Sequence, residues 1–219
     1  WATQGRDPFN QEHGYPERYA SFVKEWREMM GGVVSNPPTT LWGTEKIPYR
    51  ELCKAGAKIY GAPYANEGWD KPELGYIDKE YVALWHNHRA IIKSSIPVCD
   101  RQFPLLYDPS KEDKIGDLDA EVRLFNAVVG TDWSMDEMNK AAEKVFNVMR
   151  AIHIRQGRTR KHDESVIPYF EQPAMWPDEP VPQTIDANKF IDLLDRFYKL
   201  RGWDSNGCPT RAKLEALGL

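Results

Sequence analysis

A chain of 219 residues with 41% hydrophobic and 28% charged positions can bury a core without disulfide or metal staples and is far from a disordered composition. Its 29 basic and 33 acidic side chains leave a formal net charge of −4, which argues against a general nucleic-acid binder. No apolar run approaches the roughly 20 residues that a membrane-spanning helix needs.

Residues 1–15 are polar and turn-rich. Pro16 stands at a helix start, and Tyr19, Phe22, Val23, Trp26 and Met30 recur at helical spacing until Gly31-Gly32. Residues 33–47 hold Asn36-Pro37-Pro38 and read as loop. A second helix is expected from about Pro48, with Leu52, Ile59 and Tyr60 inward, followed by loop over 61–77. Asp78 is placed to cap a third helix through its carboxylate. Val82, Trp85 and Ile92 carry that helix to about Lys93.

Pro97 removes a donor and pushes Ile96 out of the helical region, so the stretch from Ser94 to Asp100 reads as a break with Cys99 on a loop. Residues 100–116 read as loop with a charged patch from Lys111 to Lys114. Leu118, Val122, Phe125 and Val129 give a fourth helix one apolar face. Ser134 and Glu137 form a capping-box pattern. Behind them Met138, Ala141, Val145, Val148, Met149 and Ile152 predict the apolar face of a long helix ending near Ile154. Residues 155–185 hold five prolines and read as an extended crossing. Asp186 caps a helix with Phe190, Leu193, Leu194 and Phe197 on one stripe, closed by Gly202. A last helix follows Thr210, with Leu214 and Leu217 expected to be buried against that stripe. No strand is convincing, so the fold class reads as mainly α.

The three cysteines, Cys53, Cys99 and Cys208, are odd in number and widely spaced. This predicts a reducing, cytoplasmic setting rather than a disulfide framework. The opening Trp1–Pro8 has neither an initiator Met nor a signal sequence, as expected of a chain cut from something longer. Cys99 on a loop after a helix could present a thiolate to a metal or cluster, or be an inert small hydrophobe. Cys53, inside a helical stripe, and Cys208, before Pro209, read as structural. His86 and His88, two apart on a helix, point in different directions and form no ligand pair. His13, near Arg6, Asp7 and Asn10, has the groups for acid–base chemistry at neutral pH, or is a polar loop residue. The run Arg155, Arg158, Arg160 and Lys161 complements a helix C-terminus. It could hold a phosphate or carboxylate, or serve as a solvated salt-bridge patch. Gly-rich phosphate loops and nucleophile elbows are absent.

Two stretches go further. The residues from Phe146 to Asp163, including Asn147-Val148-Met149-Arg150 and Arg155-Gln156-Gly157-Arg158, closely resemble a block near the C-terminus of the aldehyde ferredoxin oxidoreductase family. There a long helix runs into an Asn-Val-Arg-x-Gly-x-x-Arg-x-Asp-Asp-like turn. The ending, Tyr198 to Thr210 and then Leu214 to Leu219, resembles that family's closing sequence, in the same order and at the expected distance. The resemblance implies multi-helical domains like the family's C-terminal helical ones, and places the chain as roughly the last third of a member. We expect residues 1–77 to be a loop-rich helical segment leading into a C-terminal helical domain over 78–219.

The family's enzymes hold a tungsten or molybdenum ion between two pterins beside a 4Fe-4S cluster. They oxidise aldehydes to carboxylic acids with ferredoxin as acceptor. The implied partners are upstream domains of the same enzyme and ferredoxin or another electron-transfer protein. In the family an Asp-x-x-Gly-Leu-Cys-like loop holds one pterin and supplies the fourth cluster ligand. Ser94-Ser95-Ile96-Pro97-Val98-Cys99 stands at that place. The resemblance implies a cluster ligand in Cys99 and pterin contacts from Ser94, Ser95, Pro97 and Val98. Ser94 replaces the usual Asp and lacks its charge; Pro97 replaces the usual Gly and lacks a donor. The other three cluster cysteines fall upstream of Trp1, so this fragment alone is expected to be inactive. The opening, Trp1 to His13, is similar to a stretch leading toward the substrate cavity, which makes His13 a catalytic candidate, although the Arg-to-His spacing differs. Residues Pro8 to Trp26 are also similar to the related class II benzoyl-coenzyme A reductases, which use the same cofactor to reduce an aromatic ring. A cofactor-free helical interaction module is the remaining alternative.

Overall fold

The computed structural model describes residues 47–67, 72–96, 98, 105–169 and 186–219. The helix expected over Pro16–Met30 lies outside the described residues, as do His13, Pro97 and Cys99. Within them run α1 (Tyr49–Tyr60), α2 (Lys79–Ser95), β1 (Leu105–Tyr107), β2 (Ile115–Asp117), α3 (Ala120–Val129), α4 (Met135–Arg155), α5 (Arg160–Asp163), α6 (Ala187–Arg201) and α7 (Arg211–Ala216). The fold is mainly α, as expected.

Local chemistry explains most helix boundaries. Pro48 precedes α1, and Gly61 ends it at φ 67, a left-handed conformation that costs glycine little. The Ser134 hydroxyl accepts from the Glu137 N–H, and the Glu137 carboxylate accepts from the Ser134 N–H at 2.7 Å, completing the capping box of α4. Asp186 accepts from the N–H groups of Asn188 and Lys189 at 2.9 and 3.0 Å. Gly202 closes α6 at φ 70.

α2 packs against both α4 and α6. One apolar cluster joins Ile91 and Ile92 of α2, Met138, Ala142 and Phe146 of α4, Leu194 and Phe197 of α6, and Trp203. A second joins Ile47, Leu52, Ile59 and Tyr60 to Ala62, Ala65 and Tyr107, with Val82 and Trp85 of α2 packed against it. α2 therefore belongs to both cores.

Several expectations are corrected. Asp78 does not cap α2: it sits at φ 64, makes no side-chain cap bond, and its carboxylate accepts from the Tyr64 N–H at 2.9 Å. The turn before the helix claims the group that the helix terminus would use. Residues 105–117 are a small antiparallel hairpin rather than loop, with Leu105 opposite Asp117 and Tyr107 opposite Ile115. Three-residue strands are too short to show a period-two pattern. Gly116 permits the pairing, because a Cβ there would lie 2.0 Å from the Leu105 carbonyl oxygen. The segment after 155 is not simply extended: α5 and a 3-10 turn over Glu164–Tyr169 occupy it, and 170–185 lie outside the described residues. Val129 of α3 is exposed rather than inward.

The inward face of α4 is rotated from the expected one. Met138 is buried as expected, with Ala142 and Phe146, but Val145, Val148 and Ile152 are 43%, 37% and 47% exposed. Glu143, Asn147 and Arg150 take the inward places, because their partners lie inside. Leu214 and Leu217 are half-buried, and α7 buries no residue. Polar contacts hold it instead: Lys213 Nζ lies 2.8 Å from Glu143 Oε1, and Lys144 Nζ donates to the Gly218 carbonyl at 3.3 Å.

Candidate functional site

Of the site residues expected from the sequence, the described ones gather at the end of α2. Pro97 disfavours helix only for the residue before it, so α2 runs on to Ser95, two residues past the expected end. Ile96 N–H closes it on the Ile92 carbonyl at 3.0 Å. The Ser94 hydroxyl donates to the Ala90 carbonyl and the Ser95 hydroxyl to the Ile91 carbonyl, each at 2.8 Å. Both serines are thus on the last helical turn, not on a loop, with hydroxyl protons turned back onto the helix. Ser94 and Val98 are half-buried and Ser95 is exposed.

Side chains brace α2 along its length. Arg196 Nε donates to Glu80 Oε1 at 3.0 Å. The Tyr60 hydroxyl and His86 Nε2 are 3.1 Å apart. Arg201 Nη2 donates to Asn87 Oδ1 at 2.8 Å, and His88 Nε2 meets Glu143 Oε2 at 2.7 Å. Arg89 lies 4.5 Å from the centre of the Trp85 ring and 3.6 Å from Glu121 Oε2. Glu121 is fully buried, and neither of its oxygens accepts a hydrogen bond. Burial raises its carboxyl above the usual range against the pull of Arg89, and burial lowers Arg89. His86 and His88 diverge to different partners, as their spacing predicts.

The two sequence blocks that carry the family resemblance meet in space. Arg150 donates through Nη1 and Nη2 to Asp163 at 3.0 and 2.6 Å, and through Nε to the Gly207 carbonyl at 2.8 Å. Arg158 Nε and the Tyr198 hydroxyl also donate to Asp163. Trp203 Nε1 donates to Asn147 Oδ1 at 2.8 Å. Trp203 also stacks on Phe146, at 5.9 Å between centroids and 7° between planes. Arg201 pairs with Glu143 and lies 4.0 Å from the centre of the Phe146 ring. Burial opposes ionisation of Glu143, but His88, Arg201 and Lys213 hold its carboxyl well below the usual range. In these blocks the buried charges are matched, so they fasten α4 to α6 and the tail. Two residues of the basic run serve the same end: Arg158 on Asp163, and Arg160 on Glu164 and Asp195.

Sequence reasoning missed Glu143, Asn147 and Glu121 as organising groups. The available signal was polar residues lying on the same helical face as Phe146 and Met138.

Among the described residues, no three His, Cys, Asp or Glu side chains converge as a metal site. Cys53 is buried and donates its S–H to the Asn66 carbonyl at 3.4 Å. Burial pushes the Cys208 thiol up, away from ready ionisation. The described residues do not by themselves fit a cluster or a metal ion. Nor is any helix among them long and apolar enough to cross a membrane.

The family model described as aldehyde ferredoxin oxidoreductase, domains 2 and 3, matches residues 49–219. The chain is similar to the tungsten-containing aldehyde ferredoxin oxidoreductase of Thermococcus kodakarensis, 30% identical over 99 residues, which is 44% of this chain and 15% of that protein. It is 29% identical, over the same shares, to the proteins of that name from Pyrococcus furiosus and Pyrococcus horikoshii. The matched stretch thus spans 15% of the length of each of these relatives. No solved structure matches the chain at a significant level.

Proposed function

From the premise that this chain belongs to the aldehyde ferredoxin oxidoreductase family, we propose that it is the C-terminal helical part of a tungsten- or molybdenum-dependent oxidoreductase. The enzyme would carry a bis-pterin metal centre and a 4Fe-4S cluster, oxidise aldehydes to carboxylic acids, and pass electrons to ferredoxin. The single observation that carries this reading is the family match over 49–219, which includes Cys99 just past the end of α2. Such cofactors carry the redox chemistry themselves, and the protein places them.

In this reading the upstream domains of the same enzyme supply three cluster cysteines and Cys99 supplies the fourth. Ser94, Ser95, Pro97 and Val98 line the pterin side, and His13 handles a proton near the substrate. The back-bonded hydroxyl of Ser95 keeps oxygen lone pairs to accept a ligand N–H. Residues 78–219 form the C-terminal helical domain and 1–77 lead into it. The location is cytoplasmic, and this fragment alone is colourless and inactive.

Cys99→Ala in the full-length enzyme tests the reading. The expected result is loss of cluster iron and of the cluster's spectroscopic signal, with ferredoxin reduction abolished. Full iron occupancy with normal activity would overturn it. Aldehyde oxidation assayed against benzoyl-coenzyme A reduction decides the substrate class.

A further inference from the structure

Three backbone carbonyls converge on the first residue of α2. The Lys79 side chain is 5% exposed. Its ammonium donates to the carbonyls of Ala65 at 2.6 Å, Tyr64 at 2.9 Å and Glu67 at 2.9 Å. An ammonium has three protons, and these three bonds use them all. The first turn of a helix is a poor place for a cation, because the helix dipole favours anions there. What holds the charge is the turn, not the helix.

Further hydrogen bonds hold the turn that forms the cage. The Ala65 N–H bonds the Ala62 carbonyl at 3.3 Å and the Glu67 N–H bonds the Tyr64 carbonyl at 3.0 Å. The Tyr64 N–H is taken by Asp78, whose positive φ turns the chain toward the cage. The Asn66 side chain donates to the Leu52 carbonyl and the Tyr107 hydroxyl at 3.0 and 2.9 Å. Gly56 lets it approach, since a Cβ there would lie 2.2 Å from Asn66 Nδ2. Three oxygens at 2.6–2.9 Å from one centre are farther out than the ~2.3–2.6 Å of calcium ligands. They are neutral as well. Both features suit a weakly charged, larger ion.

We propose that the Tyr64–Glu67 turn is a cage for a monovalent cation, and that Lys79 supplies that cation as a tethered ammonium, latching the second apolar cluster to the head of α2. The inference concerns the fold's own wiring and stands whether or not the cofactor reading holds. Burial lowers the Lys79 ammonium to about 8 even with Asp78, Cys53, Glu67 and Glu80 around it. Burial thus works against the charge, and the three carbonyl bonds are what the ammonium gains in return.

Removing the side chain while keeping the carbonyls tests this. In Lys79→Ala, amide hydrogen exchange over residues 62–67 should rise by roughly tenfold or more. Ammonium or potassium chloride should then restore protection along a saturating curve. Tetramethylammonium chloride at equal ionic strength should not, since its methyl groups cannot donate and do not fit. Lys79→Met should lose protection without recovery, because its apolar stem fills the cage. Wild-type protection should be indifferent to the choice of cation. Equal response to all salts, or wild-type protection in Lys79→Ala, would overturn the proposal. Should the variants fail to fold, nitrogen-15 NMR of the wild-type protein decides: a slowly exchanging Lys79 ammonium signal supports the cage, and exchange at the rate of surface lysines refutes it.

Discussion

Asp163 shows how much one carboxylate can organise. It is fully buried and receives Arg150, Arg158 and the Tyr198 hydroxyl. Asp163→Asn keeps the size but leaves two guanidinium groups facing a neutral amide. Breaking a buried pair from one side costs about 3–5 kcal/mol. The expected outcome is a clearly lower urea midpoint with an unchanged m-value. His86 makes a different test. Burial, with Lys93 and Arg89 nearby, pushes it from 6.5 down to about 3. Between those values the unfolded chain binds a proton that the folded chain does not, so stability falls as pH drops from 6.5 toward 3. The slope from this group is at most about 1.4 kcal/mol per pH unit. Glu143, held well below 4.5 in the folded state, acts in the same direction below that pH. Urea midpoints measured from pH 7 to 5 should fall less steeply in His86→Gln than in the wild type.

At the scale of the element, α4 is the instructive case. Two apolar faces are written on it, Met138-Ala142-Phe146 and Ala141-Val145-Val148-Ile152. A 3.6-residue period accommodates either. The first is buried because its neighbours Glu143, Asn147 and Arg150 meet His88, Trp203 and Asp163 inside. Phe146→Ala should therefore cost about 3–5 kcal/mol, while Val148→Gln should stay within about 0.5 kcal/mol. Comparing the two by chemical denaturation checks the rotation directly, and equal costs would contradict it. The ends of α2 make the same point. Asp78 was legible as a boundary, but its carboxylate answers to Tyr64, which the local pattern does not show.

For the molecule as a whole, the tail closes the network rather than the apolar core. α7 buries no residue, yet Lys213 reaches Glu143 and Lys144 reaches the Gly218 carbonyl. Ending the chain after Gly207 should leave Glu143 with one cation fewer and uncover Gly202, which Lys213 lies against. The melting temperature should drop by roughly 5 °C or more. An unchanged melt would show that the tail carries no stability. α2 sits between both apolar clusters and ends at the candidate ligand turn, so its placement is the product of every contact along it.

By itself the amino-acid sequence determined where most helices begin and end. Pro48 and Gly61, Ser134 and Glu137, Asp186 and Gly202 act within a few residues of themselves, through bonds that any local segment can make. It also marked Cys99 through the resemblance of its surroundings, though not the helical seats of Ser94 and Ser95. The tertiary structure decided what no window of sequence contains: which face of α4 turns inward, which carboxylates gather the arginines, and which cation fills the Tyr64–Glu67 turn. Those choices depend on partners such as His88 for Glu143 and Asp163 for Tyr198, which lie 55 and 35 residues apart along the chain. A buried charge is stable only where such partners meet it, and only the folded chain brings them together.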